Sequence, residues 1–61
     1  MKPTVKLTGT DGNAFAIMAK CRGAARKAGM EKADIDAILK EMTAGDYDHL
    51  LAVAMQKFEV L

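Results

Sequence analysis

Residues 11–29 read DGNAFAIMAKCRGAARKAG. The stretch opens on turn and capping residues, continues through an alanine-rich run that favours helix, and closes on Gly29, which typically ends a helix. The sequence therefore predicts a first helix from about residue 12 or 13 to Ala28. Plotted at 100° per residue, its apolar face consists of Ala14, Ile17, Met18, Cys21, Ala24, Ala25 and Ala28.

On the N-terminal side of this helix, Thr4–Thr8 alternates polar and apolar residues and is rich in β-branched side chains. This pattern predicts a short strand that buries Val5 and Leu7. Residues 9–13 form the turn between the strand and the helix. On the C-terminal side, Lys32–Met42 has apolar residues at helical spacing and acidic residues in its first turn, which predicts a second helix.

A third helix begins after Asp46, whose side chain is a typical N-cap. The tail then alternates again, with Phe58 and Val60 on one face, and predicts a second strand. We therefore expect one α+β domain over residues 1–61, with a β-α-α-α-β order and both strands side by side; their relative direction stays open. The predicted apolar stripe of the third helix consists of Tyr47, Leu50, Leu51, Ala54, Met55 and Phe58.

The predicted sheet is small for an isolated protein. A two-stranded sheet is marginally stable alone, and its free edges can pair with another chain. A chain of 61 residues also buries a small core and gains stability by oligomerising. We therefore predict a homodimer in which a four-stranded sheet continues across a two-fold axis.

Composition excludes several classes of protein. An apolar content of 51% argues against intrinsic disorder. The single cysteine, Cys21, excludes an intramolecular disulfide, and with one histidine it leaves no Cys/His zinc set. No apolar stretch has the features of a signal peptide or approaches about 20 residues, the length of a membrane span. We expect a cytoplasmic protein without membrane, metal or cofactor.

Charge is unevenly distributed along the chain. Residues 1–29 carry six Lys or Arg and one Asp, a balance of +5, whereas residues 30–61 carry three Lys and seven Asp or Glu, a balance of −4. The two halves can neutralise each other within one fold or between two subunits. Alternatively, the basic half binds an anionic ligand.

Two places on the basic half are candidates for such a ligand. The amides of Gly12 and Asn13 open a helix and could bind an anion, although a plain turn with a helix cap is the explanation that we favour. Arg22 and Arg26 lie one helical turn apart, and arginine suits phosphate groups. A solvated face or ion pairs with a partner are the alternative for these two arginines.

A pair of polar residues, Asp48 and His49, could in principle serve acid–base chemistry. A nucleophile is missing, because the chain has no serine and Cys21 falls on the predicted core face of the first helix. We therefore predict no catalytic residue and no enzymatic activity.

Two motifs, DGNAF at residues 11–15 and GDYDHLL at residues 45–51, flank the basic helix. With their spacing, they resemble a family of small uncharacterised bacterial proteins of about this length, many from prophage and mobile-element neighbourhoods. The resemblance covers nearly the whole chain. It implies a cytoplasmic accessory protein, and it brings no catalytic residue.

The polar residues of these motifs suggest a further hypothesis. Asn13, Asp48 and His49 are not all needed as caps, so the ends of the first and third helices could lie together as one polar site. The function we expect is a non-enzymatic interaction module that binds a protein partner as a homodimer. The alternative is a phosphate-ligand binder that holds a nucleotide or a nucleic-acid backbone on the basic first helix.

Overall fold

The computed structural model describes residues 2–9 and 11–61, so Thr10 of the predicted turn lies outside the described residues. The order of elements is strand, helix, helix, helix, strand, which confirms the predicted α+β fold. In chain order the elements are β1 (Thr4–Val5), α1 (Ala14–Lys27), α2 (Lys32–Met42), α3 (Tyr47–Lys57) and β2 (Glu59–Val60).

Side-chain caps fix where two of the helices begin. The Oδ1 atom of Asn13 accepts a hydrogen bond from the Ala16 amide at 2.8 Å, before the first full turn of α1. The Oδ1 atom of Asp46 accepts one from the His49 amide at 2.9 Å, at the start of α3. Both bonds satisfy amides that have no acceptor within the helix, so these caps specify the helix starts locally.

The end of α1 is a turn built around Gly29, which has a φ of +84°. The Gly29 amide donates to the Arg26 carbonyl at 3.0 Å, and the Met30 amide donates to the Ala25 carbonyl at 3.1 Å. This pair of bonds is the Schellman motif that commonly closes a helix. It confirms the predicted helix end and sets the direction in which α2 leaves.

The two strands pair in parallel, with Thr4 opposite Glu59 and Val5 opposite Val60. The Glu59 amide donates to the Pro3 carbonyl and the Leu61 amide to the Val5 carbonyl, each at 2.9 Å. Parallel pairing requires a crossover, which the three helices supply. Helix α1 contacts β1, α3 contacts β2, and α2 packs against both other helices.

The first strand is shorter than the predicted Thr4–Thr8. The amides of Leu7 and Thr8 both donate to the Leu61 carbonyl, at 2.9 and 3.2 Å. Successive amides of an extended strand point in opposite directions, so their convergence on one oxygen means that the chain has already left the ladder. Leu7 is accordingly only half-buried, whereas Val5 is buried as predicted.

One core joins all five elements. Phe58, Met42 and Cys21 are its largest fully buried side chains. The buried set consists of Val5, Ile17, Cys21, Ala25, Ile35, Met42, Leu50, Val53, Ala54 and Phe58.

Two residues of the predicted apolar stripe of α3, Tyr47 and Met55, are exposed. Leu50, Ala54 and Phe58 are buried as predicted, but Met55 is 66% exposed and Val53 is buried in its place. Val53 and Met55 lie about 200° apart around a helix, so only one of them can face the core. The face of α3 that carries Val53 packs against the core. Tyr47, also in the predicted stripe, is 44% exposed.

Two glycines of the basic half are expected to respond to alanine in opposite directions. Gly29→Ala should lower the free energy of unfolding by about 1–2 kcal/mol, because an L-residue is strained at its positive φ. Gly23→Ala should raise it by about 0.5–1 kcal/mol, because Gly23 lies inside α1. A Cβ at either position meets nothing within 4 Å, so crowding does not interfere. Urea denaturation measures the free energy of unfolding of both variants. Changes of the same sign would contradict the positive φ of Gly29 or the helical position of Gly23.

The Cys21 thiol is buried in the core, and this burial raises its pKa. We expect a disulfide reagent such as Ellman's reagent to label the native protein only as fast as it unfolds, because the thiolate is the reactive form. The same protein in concentrated guanidinium should label at the rate of a free cysteine. Rapid labelling of the native protein would mean that α1 does not bury this face.

Candidate functional site

The N-terminal ends of α1 and α3 lie side by side. The Tyr47 hydroxyl, in the first turn of α3, donates a hydrogen bond to the carbonyl oxygen of Gly12, two residues before α1. The bond joins the two motifs that stand out in the sequence, and it confirms that the ends of the first and third helices meet. A shared polar binding site at this junction stays a prediction.

The second motif folds back on itself at Gly45. A Cβ on Gly45 would lie 2.8 Å from the Cβ and Cγ atoms of His49, so this close approach requires glycine. The His49 Nε2 atom is 3.0 Å from the Glu41 carbonyl oxygen, and with its proton on Nε2 the ring donates to that oxygen. The same carbonyl accepts from the Ala44 amide at 3.1 Å, so the ring gives it a second donor. His49 therefore caps the end of α2 and ties it to α3.

At the predicted anion site, one of the two amides is engaged with the chain itself. The Asn13 amide donates to Oδ1 of Asp11 at 3.4 Å, and the Gly12 carbonyl accepts from Tyr47. An anion at this turn would also meet the Asp11 carboxylate. Asp48 is exposed in the first turn of α3.

The predicted arginine pair lies on a groove between α1 and α2. Its volume is about 290 Å³. Arg22 and Arg26 approach from α1, and Lys32, the first residue of α2, completes a set of three cations that sequence reasoning did not assemble. The groove is lined by Arg22, Arg26, Met30, Lys32, Ile35 and Asp36.

The predicted site residues therefore divide between two places. Asn13 and Arg22 are nine positions apart along α1, which corresponds to about 14 Å of helical rise. Gly12 and Asn13 lie at the junction with α3, whereas the arginines lie toward the other end of the helix. A single ligand site that uses the Gly12 and Asn13 amides together with both arginines would have to span this distance.

A second groove, which the sequence did not indicate, lies beside the helix junction. Its volume is about 280 Å³. Phe15 lies at this groove with 85% of its surface exposed, and it is not a member of the apolar face that helical periodicity predicts for α1. Most of the lining is apolar, and its members are Ala14, Phe15, Met18, Met42, Thr43, Gly45, Asp46, Tyr47 and Leu50.

Metal ligation and membrane insertion can be assessed for the described part of the chain. Within residues 2–9 and 11–61, no group of three or more His, Cys, Asp or Glu side chains is arranged to hold a metal ion. Over the same residues, no helix has both the length and the apolar character needed to cross a membrane.

No family model, curated protein or solved structure matches this chain. The resemblance carried by the motifs at residues 11–15 and 45–51 accordingly stays a prediction. The geometry of the two grooves is the basis for any functional assignment.

Alanine substitutions at two more glycines test the contacts at the junction of α1 and α3. Gly45→Ala should lower the free energy of unfolding by about 1–3 kcal/mol, because its Cβ would overlap His49. Gly12→Ala is the matched control, since its Cβ would lie at an ordinary 3.7 Å from Tyr47 Oη. Thermal denaturation followed by circular dichroism measures both. Equal stability of the two variants would show that His49 does not pack on Gly45.

Proposed function

We propose that this protein is a non-enzymatic interaction module that acts by protein–protein binding as a homodimer. The observation that carries the proposal is Phe15, 85% exposed on α1 beside an apolar groove. Contiguous apolar surface of this kind commonly marks a binding site. The proposal includes a cytoplasmic location and an accessory role in a bacterial or phage setting, as the motif resemblance implies.

The groove next to Phe15 has the composition of a protein interface. Met18 and Met42 contribute flexible side chains that adapt to a partner's shape, and Tyr47 contributes an aromatic ring with a polar tip. Aromatic residues and methionine are enriched at interfaces. Asp46, with its exposed carboxylate, supplies a polar residue at the rim.

The same surface favours a second copy of the chain as its first partner. Each copy presents a projecting aromatic ring, Phe15, and an apolar groove directly beside it. A two-fold axis pairs such a surface with itself, so that each ring enters the partner's groove. The sheet edges are a weaker basis for the dimer, because β1 and β2 are two residues long and expose few backbone groups.

A protein partner could then bind to surface that the dimer leaves open. Met55 and Leu61 are large apolar side chains with 66% and 60% exposure, and neither lines the Phe15 groove. The proposed function is non-enzymatic because the two side chains that could take part in catalysis have structural roles. His49 bonds to the Glu41 carbonyl, and Cys21 is buried in the core.

Sedimentation velocity over a range of micromolar concentrations tests the dimer. Phe15→Ala should raise the dimer Kd by about tenfold or more, since burying a phenylalanine contributes about 1.5–3 kcal/mol and about 1.4 kcal/mol is tenfold. Met55→Ala is the control, because it removes a comparably exposed apolar side chain outside the groove. It should leave the Kd unchanged.

Two results would contradict the proposal. A monomeric wild-type protein at the highest concentration would remove the homodimer. An unchanged dimer in Phe15→Ala would move the interface away from α1 and back to the sheet edges.

A further inference from the structure

We propose that the groove between α1 and α2 binds a compact phosphate group of a small molecule. Arg22, Arg26 and Lys32 line this groove, whose volume is about 290 Å³. The proposal goes beyond the interaction module, because none of these residues lines the Phe15 groove.

The three cations come together through the turn at Gly29. Arg22 and Arg26 are four residues apart on α1, so their side chains leave the same side of the helix from Cα atoms about 6 Å apart along its axis. The Schellman turn reverses the chain after Lys27, and α2 begins at Lys32 beside them. The lining holds three cations and one carboxylate, that of Asp36, so its charge balance is positive and favours an anion.

The chemistry of the lining suits a phosphate dianion. Guanidinium groups donate paired hydrogen bonds to phosphate oxygens, and a lysine ammonium adds a compact charge. All three cationic side chains are exposed at the groove and are accessible to a ligand from solvent. Met30 and Ile35 form an apolar part of the lining against which the rest of a small ligand can pack.

Acidic residues around the groove limit the size of the ligand. Asp36 lines the groove itself, Glu31 is exposed at the N-cap of α2, and Asp34 is exposed in the first turn of that helix. A single phosphate held by the three cations meets fewer of these carboxylates than an extended chain of phosphates does. A long nucleic-acid backbone would run past them and be repelled. The charge pattern therefore favours a small phosphorylated molecule over a polymer.

Pyrophosphate is a suitable probe, titrated in chloride buffer into ¹⁵N-labelled protein and followed by NMR chemical shifts. We expect saturable shifts concentrated at residues 22–36. The double variant Arg22→Gln/Arg26→Gln should raise the pyrophosphate Kd by about tenfold, as expected for the loss of charge-assisted hydrogen bonds.

The double variant Lys20→Gln/Lys27→Gln is the matched control. It removes the same charge from the same helix, but these lysines line a different depression, beside β1. The pyrophosphate Kd of this control variant should change by less than about twofold, because salt screens exposed charges that lie outside the groove. Asp36→Asn should tighten binding, because it removes the carboxylate in the lining.

Three outcomes would overturn the proposal. The first is the absence of saturable shifts when pyrophosphate is added to the wild-type protein. The second is an equal loss of binding in the two double variants, which would mean a response to net charge alone. The third is tighter binding of a single-stranded oligonucleotide than of pyrophosphate at equal phosphate concentration, which would replace a small ligand with a nucleic acid. The Phe15→Ala variant should bind pyrophosphate as the wild type does, so failure of the dimer leaves this test intact.

Discussion

The parallel pairing of β1 with β2 is the constraint on which the rest of the molecule depends. Two residue pairs, Thr4 with Glu59 and Val5 with Val60, bring together segments from near both ends of the sequence. The three helices must therefore carry the chain from the end of β1 back to the start of β2 beside it, and they do so by packing around a common core. Val5 and Phe58, both buried next to this pairing, connect the sheet to the helices.

Features specified by neighbours in sequence could be predicted, and features specified by packing could not. Asn13, Asp46 and Gly29 set helix ends through bonds to residues within four positions, so the helix bounds were readable from the chain. The burial of Val53 in place of Met55 depends on how α3 rotates against its neighbours. The early end of β1 likewise depends on the Leu61 carbonyl, far away in sequence.

The candidate sites also combine features specified by neighbours in sequence with features specified by packing. Helical spacing predicted that Arg22 and Arg26 share a face, but Lys32 joins them only because of the direction that the chain takes after Gly29. The conspicuous motif at residues 45–51 is explained in large part by the packing of Gly45 on His49 and by the cap that Asp46 provides. The role of Phe15 could not be predicted, because it lies outside the predicted apolar face of α1 and periodicity cannot tell whether such a residue is covered.

The turn at Gly29 has an electrical consequence as well as a geometric one. It falls where the basic part of the sequence, with a balance of +5, gives way to the acidic part, with a balance of −4. A net charge of only +1 makes the molecule almost neutral to a distant charge. Within about 8 Å, the Debye length at physiological salt, a neighbour instead meets a dipole whose positive pole is α1. Orientation, more than overall attraction, should govern how this protein approaches other charged molecules.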